Sequence, residues 1–343
     1  MRTRVIGDAV ATVIGSGDVS LGRSASRGVD DRAVARAVQL AIESGVTIVD
    51  CADEADAERV VGDAVRVLRA RDRVVVSTRV PAVGSALTTV RAVQACVEAT
   101  LRATRLDALP LALISVKAWW RTDAAWAELV ETCARLVHDG KVMRWGACVA
   151  AEDLRGDDAA ALAAPWLAEA SWLAALRVDL SLCARDALAL IDALAAIDRA
   201  AGEAPRAPGS TAGKLALLIA RPLAGGTLAG TIGAGAQLRP RDDRRALDDR
   251  ELARVARGVA TLSAFARAVP LAADPKTLSG VTRVEPIECA DVAELALRWA
   301  IDRSGGIALP RLSSGDHVIA ALAAAIAPPL PGDLMMRLEE LDI

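Results

Sequence analysis

Val46-Thr-Ile-Val-Asp-Cys-Ala-Asp-Glu-Ala55 decides the fold. Its first four residues are a short β-branched apolar run, the pattern of a fully buried strand. Asp50 then sets a carboxylate at the carboxyl end of that strand, the place where barrels concentrate their chemistry. Outward in both directions stand helices. Asp30 caps one with Val34, Val38, Ala41 and Ile42 on a single face, and Gly45 ends it; Asp56 caps the next, which carries Val60, Val61, Ala64, Val65 and Leu68.

The same alternation runs through the chain. Arg4 to Val13 reads as a small hairpin, and Val13-Ile-Gly-Ser-Gly as the first strand. Arg73–Thr78, Leu109–Val116, Val142–Cys148, Leu176–Leu182, Lys214–Ala220 and Gly306–Pro310 supply strands three to eight. Residues 224–245, with repeated Gly and a cluster of Arg and Asp, read as a long mobile loop after strand seven. A helix over Asp248–Val269 leads into Pro270–Glu288, an insertion before the last barrel units. Ala290–Ile301 and a final barrel helix follow, and Ala327-Pro-Pro-Leu-Pro-Gly closes the fold. Strands that alternate with helices build a parallel sheet, so the reading is an α/β protein, a single-domain (β/α)8 TIM barrel over residues 1–343.

Composition excludes several functions. The net charge of −3 and pI of 5.6 give no global attraction to nucleic acid or to an anionic membrane. The first residues lack the apolar core of a signal peptide, and no apolar run approaches about 20 residues, so the expected location is the cytoplasm. Six cysteines are scattered without a C-x-x-C pair, which points to reduced thiols and away from zinc, and two histidines exclude a histidine-rich metal site. Most telling, the chain has no tyrosine. No phenol is available as a proton donor anywhere.

The order of local patterns resembles the aldo-keto reductases over nearly the whole chain. Gly45-Val-Thr-Ile-Val-Asp-Cys-Ala is similar to the family's Gly-Ile-Asn-Phe-Phe-Asp-Thr-Ala segment, and Asp72-Arg-Val-Val-Val-Ser-Thr-Arg-Val to its third strand. Gly140-Lys-Val-Met-Arg-Trp-Gly, Pro222-Leu-Ala-Gly-Gly and Leu295-Ala-Leu-Arg-Trp resemble further family motifs. The resemblance implies a barrel that reduces carbonyls with a nicotinamide cofactor, using an Asp, a Tyr, a Lys and a His at successive strand ends. Asp50 matches the Asp. The Tyr position holds Ala55, the Lys position Arg79 and the His position Ser115. The family's grip on the nicotinamide carboxamide falls on Cys148, Val149 and Arg177, and its stacking aromatic on Leu180 or Ala220. In the phosphate loop Arg311 replaces a Gly, while Pro310, Ser313 and Ser314 remain.

A positioned general acid commonly contributes ~10²–10⁴-fold to such a reaction, and Ala55 contributes none. Arg79 stays charged and is expected to pair with Asp50. Ser115 can donate a weak hydrogen bond to an oxyanion. Arg79, Arg177, Arg221 and Arg311 fall at or beyond four strand ends, so they form either a ring for an anionic small molecule or a set of ion pairs with Asp50, Asp53, Glu54 and Asp179. Trp119 and Trp120 follow strand four and read as pocket walls or core. Cys148 is a buried thiol or a nucleophile activated by a nearby arginine. His138 and His317 read as structural or solvent-facing, and Trp126 and Trp299 as core.

Three functions follow from these residues. The first is a barrel that has left hydride transfer, takes no cofactor, and binds an anionic small molecule, with non-redox proton-transfer chemistry of the lyase, isomerase or cyclase kind. The second is a pseudoenzyme with a binding or regulatory role and a protein partner. The third is an atypical NADPH-dependent reductase with a different proton donor.

Overall fold

The run beginning at Val46 becomes one stave of a barrel wall. In the computed structural model, strand β4 (Ile48–Cys51) is buried at every position. The structure describes residues 1–21, 30–52, 54–80, 90–116, 125–149, 151–154, 159–202, 215–229, 249–268, 291–341 and 343. In chain order the strands are β1 (Thr3–Ile6), β2 (Ala9–Thr12), β3 (Ser16–Val19), β4, β5 (Val75–Val80), β6 (Leu111–Val116), β7 (Trp145–Val149), β8 (Leu173–Asp179), β9 (Ala216–Ala220) and β10 (Ile307–Leu309). The helices are α1 (Asp31–Glu43), α2 (Ala55–Val67), α3 (Val90–Thr104), α4 (Ala125–His138), α5 (Ala159–Ala168), α6 (Leu188–Gly202), α7 (Asp249–Ala268), α8 (Val292–Ser304), α9 (Gly315–Ile326) and α10 (Gly332–Glu339).

Strands β3 to β10 pair in parallel in sequence order. The ring closes where Gly15 N–H donates to the Ala308 carbonyl at 2.9 Å and Gly17 N–H to the Pro310 carbonyl at 2.8 Å. That seam requires glycine: a Cβ on Gly17 would lie 2.0 Å from the Leu309 carbonyl oxygen. Together these strands and the helices around them form a (β/α)8 TIM barrel.

Alternation along each strand sends one set of side chains inward. Ile48, Val75, Leu111, Leu113, Ala175, Leu218, Ile307 and Leu309 fill the lower barrel, and Ile6 and Ala11 of the β1–β2 hairpin pack beneath them as a floor. Outward-facing residues meet the helices; Val34, Val38 and Ile42 of α1, for example, pack with Val61 and Val65 of α2 and Val49 and Val76 of the wall. Each buried Val, Leu or Ile contributes about 1.5–3 kcal/mol of apolar transfer. No described helix is long and apolar enough to cross a membrane.

Several boundaries differ from the sequence reading. Helix α2 begins at Ala55, with Glu54 in the N-cap position and no side-chain cap bond. Asp56 lies in the first turn instead, where a negative charge suits the helix dipole equally well. Strand β8 ends at Asp179, three residues before the expected end, because the apolar run continues through buried Leu180 and Leu182 after pairing has stopped. Helix α5 escapes the sequence reading altogether: Ala and Leu surround it and Pro165 lies inside it, so no apolar stripe marks one face. Helix α10 follows the proline run that was expected to close the fold. The Arg185 guanidinium donates to the Leu338 and Leu341 carbonyls at its end, at 3.1 and 3.0 Å. Ala224–Ala229, the start of the expected mobile loop, forms a short 3-10 turn that buries Thr227 and Leu228. Residues 230–245 and Pro270–Glu288 lie outside the described residues, as do Asp53, Trp119 and Trp120.

Candidate active site at the barrel mouth

At the carboxyl ends of the strands the inward positions turn polar. Asp50 follows Ile48, Ser77 and Arg79 follow Val75, Ser115 follows Leu113, and Arg177 and Asp179 follow Ala175 on the same alternating face; Cys148 stands two residues beyond Gly146. Strand register brings them side by side: Asp50 opposite Ser77, Ser115 opposite Cys148, and Cys148 opposite Arg177. The structure thus assembles Asp50, Arg79, Ser115, Cys148, Arg177 and Asp179 in one mouth.

The ion pairs differ from those expected. Asp50 is wholly buried and pairs with Arg177, whose Nε lies 3.5 Å from Asp50 Oδ2, while Ser77 donates to Oδ1 at 2.7 Å. Arg79 instead reaches Asp18, with Nη2 2.9 Å from Oδ1. The reason is geometric: Asp18, at φ +47, is turned out of the regular strand beside Arg79. Asp18 and Ser77 are thus site residues that the sequence reading missed. Register gives the signal for Ser77, which must sit across from Asp50. For Asp18 the signal is its place at the end of the first strand, two residues beyond Ser16.

Burial pushes the Cys148 thiol up, with Asp50 acting in the same direction; Arg177, Arg79 and a hydrogen bond with Ser115 oppose it. The net shift is upward, so the thiol stays protonated at neutral pH and the nucleophile reading loses its basis. The neighbouring Asp50 pushes the Arg177 guanidinium above its ordinary value despite its burial. Glu54 is half-buried at the start of α2, and Asp179 is exposed at the rim. Of the other sequence candidates, Trp299 is fully buried and half-buried Trp126 stacks edge-on with Trp172. His317 is exposed, with Nδ1 3.1 Å from Ser313 Oγ. Among the described residues, no three His, Cys, Asp or Glu side chains gather to hold a metal.

A second group lies on the rim after β9 and β10. Arg221 is exposed, and Arg221, Ala224, Gly225 and Gly226 all take positive φ between +47° and +86°. The turn is closed on itself: the Ala224 N–H donates to the Arg221 carbonyl at 2.8 Å and the Gly226 N–H to the Leu223 carbonyl at 2.7 Å. Across the seam, Ser313 and Ser314 precede α9, and Ser314 caps that helix by accepting from the His317 N–H. Arg311 Nη2 donates to the Ser20 carbonyl at 3.1 Å, and its enclosed Nε has no hydrogen-bond partner among the described residues. Two arginines and a helix N-terminus fit the phosphates of a dinucleotide. Beside them a cavity of about 270 Å³ is lined by Leu154, Asp179, Leu180, Asp186, Arg221 and Ala224 among others.

A closed eight-stranded barrel with a polar mouth at the carboxyl ends of its strands defines the class of (β/α)8 barrels. The model of the Aldo/keto reductase family matches residues 13–177, a little under half of the chain. Methylglyoxal reductase YeaE from Escherichia coli (strain K12) is 33% identical over 143 residues, 41% of this chain and 46% of that protein. The matched part therefore spans about half of that curated relative. An aldo/keto reductase from Klebsiella pneumoniae in complex with NADP and acetate is 26% identical, with a TM-score of 0.60 over 98% of this chain and 93% of the other. A glycerol dehydrogenase from Gluconobacter oxydans shares the fold at 16% identity, with a TM-score of 0.67 over 98% and 94% of the two chains.

These comparisons correct the expectation that no cofactor is used. Aldo-keto reductases from Klebsiella pneumoniae matched over 98% and 100% of this chain are solved with NADP and with NADPH. The expectation rested on side-chain replacements such as those at Arg177 and Arg311. Those replacements leave Arg221, Ser313, Ser314 and the N-terminus of α9 at the rim, where phosphate can be held.

Proposed function

We propose that this protein is an atypical NADPH-dependent aldo-keto reductase that acts on a neutral carbonyl compound. The observation that carries this reading is the likeness to an NADP-containing reductase along almost the full chain, at 26% identity. The phosphate-fitting rim supports it. In this reading Arg221, Arg311, Ser313 and Ser314 hold the dinucleotide, so the anionic group recognised at the rim is the cofactor's own phosphate. When bound, the cofactor supplies hydride. Asp50 pairs with Arg177 at the base of the mouth, and Ser77 orients the Asp50 carboxylate. With Arg79 beside Asp18 and Arg177 beside Asp50, the inner mouth is charge-balanced and suits an uncharged substrate better than a carboxylate.

NADPH fluorescence titration tests the reading, followed by oxidation of NADPH with methylglyoxal and short aldehydes. Saturable binding is expected, weakened about tenfold by Arg221→Ala through loss of one charge-assisted contact. No binding at millimolar NADPH overturns it. Binding without turnover of any carbonyl would favour the pseudoenzyme reading, which the absence of tyrosine supports.

A further inference from the structure

The end of α10 is held by a side chain from the wall of the mouth. The last carbonyls of a helix have no partner within it and need water, a cap or a cation. Here one guanidinium takes them. Arg185, in the turn between β8 and α6, donates from Nη2 to the Leu338 carbonyl at 3.1 Å and the Leu341 carbonyl at 3.0 Å, and from Nη1 to the Glu339 carbonyl. Its Nε donates to the Leu182 carbonyl at 2.8 Å, so the same fork grips its own turn. Five donors in a rigid plane make this double grip possible, which an ammonium cannot reproduce.

A second arginine holds the segment further on. Arg254 of α7 donates to the Ile343 carbonyl at 3.1 Å, and the Ile343 side chain is buried against Gly258, where a Cβ would lie 2.5 Å from Ile343 Cγ2. Leu338 to Leu341 and Ile343 therefore form a strap from the β8–α6 turn to α7.

The turn under this strap is a wall of the cavity of about 270 Å³. The Ser181 N–H donates to the Ala184 carbonyl at 2.9 Å and the Ala184 N–H to the Ser181 carbonyl at 3.1 Å, which closes the turn, and Ser181, Ala184 and Asp186 line the cavity. Arg221 and Ala224 of the rim line it too. Cys183 lies in the turn but off the cavity lining, half-buried. Burial pushes its thiol up, while the two anchoring arginines, Arg254 and Arg185, oppose that shift. Lifting the strap uncovers this thiol, so its reactivity reports the strap.

We propose that Arg185 is a positioning residue through which the strap fixes one wall of the mouth, so that a ligand held beside Arg221 and the docked strap stabilise each other. The inference rests on the reductase reading, which names NADPH as that ligand. A ligand shifts such an equilibrium only by binding one state better. NADPH binds the strapped wall more tightly, and by linkage it favours the docked strap by the same factor.

Arg185→Lys and Gly258→Ala test this in the full chain. The first keeps the charge and loses the fork. The second keeps both arginines, sets a helix-favouring Cβ under Ile343 and touches no residue that lines the cavity. The readouts are the rate of Cys183 alkylation by iodoacetamide, followed by mass spectrometry, and NADPH fluorescence. Each variant is expected to speed alkylation about tenfold, the worth of one charge-assisted hydrogen bond, and to weaken NADPH binding about five- to tenfold. Saturating NADPH is expected to slow alkylation of the wild type by the factor that the variants lose in affinity. A strap that only stabilises the fold lowers the thermal midpoint of the variants and leaves NADPH affinity, and the effect of NADPH on Cys183, unmoved. That result overturns the inference and leaves the reductase reading intact, as does unchanged Cys183 alkylation in both folded variants. Should Arg185→Lys fail to fold, Gly258→Ala decides alone. Failure of the wild type to bind NADPH overturns the reductase reading and the coupling with it, and faster alkylation in the variants then upholds only the strap's hold on the turn.

Discussion

The floor and the mouth of this barrel are opposite ends of the same strands, built on opposite principles. Below, Leu111, Leu113, Ala175, Leu218 and Leu309 interlock above Ile6 and Ala11, and the polar groups at the edge satisfy one another. Thr12 Oγ1 donates to the Ile14 carbonyl at 2.6 Å and accepts from the Thr47 N–H at 3.1 Å, while the Thr12 N–H donates to Thr47 Oγ1 at 2.9 Å. Above, a buried carboxylate and a buried guanidinium stand 3.5 Å apart with hydrogen-bonding atoms left over. The first arrangement maximises stability. The second holds costly groups in place for a ligand, the usual conflict between a stable fold and a working site.

The largest expected effect that would break this contrast is at the floor. Leu113 is fully buried between strands, and Leu113→Ala should cost about 2–5 kcal/mol, read as a lower midpoint in urea at unchanged slope. NADPH affinity measured well below that midpoint should not change. A stable Leu113→Ala protein that has lost NADPH would show that floor and mouth are not separable.

The mouth should respond in the opposite sense. Replacing the pair together, Asp50→Leu with Arg177→Met, removes two charges from a buried position along with their desolvation cost. The change in stability should lie between zero and a gain of about 1–4 kcal/mol, with no carbonyl turnover. Asp50→Leu alone strands Arg177 and should cost about 3–5 kcal/mol before any rearrangement lets the guanidinium reach water. A double variant as unstable as that single one would mean that the pair holds the barrel together, and the contrast would fail.

How far these two ends were legible in the sequence follows the same division. The floor and wall could be read because β-branched runs such as Val46–Val49 and striped helices such as Asp31–Glu43 express burial directly as a pattern. Helix α5 could not, because a helix apolar all round has no stripe, and the end of β8 was blurred by Leu180 and Leu182. In the mouth, strand position placed Asp50, Ser115, Cys148 and Arg177 together correctly. Partner choice was hidden: Arg79 pairs with Asp18, which a left-handed backbone conformation that no strand pattern marks brings beside it. Cofactor use was misread because it was argued from the replaced side chains, while Arg221, Ser313, Ser314 and the N-terminus of α9 remain at the rim.

The smallest effect sharpens the contrast from the floor's outer edge. Asp8, in the hairpin turn, pairs with Arg144, which also donates to the Pro110 carbonyl at 3.2 Å. The hydrogen bond from Arg144 holds the Asp8 carboxyl below the usual carboxylate range. A depressed folded value means that the stabilisation is complete above the unfolded value of about 3.9 and is lost as pH falls through the folded one. Asp8 is 79% exposed, so solvent screening limits the pair to less than about 1 kcal/mol. Asp8→Asn should therefore lower the thermal midpoint slightly at neutral pH and in low salt, and the difference from wild type should shrink as the pH falls below the unfolded value. If the difference instead persisted undiminished in acid, the hairpin would be held through the shape of the turn, and the floor would owe nothing to charge even at its rim.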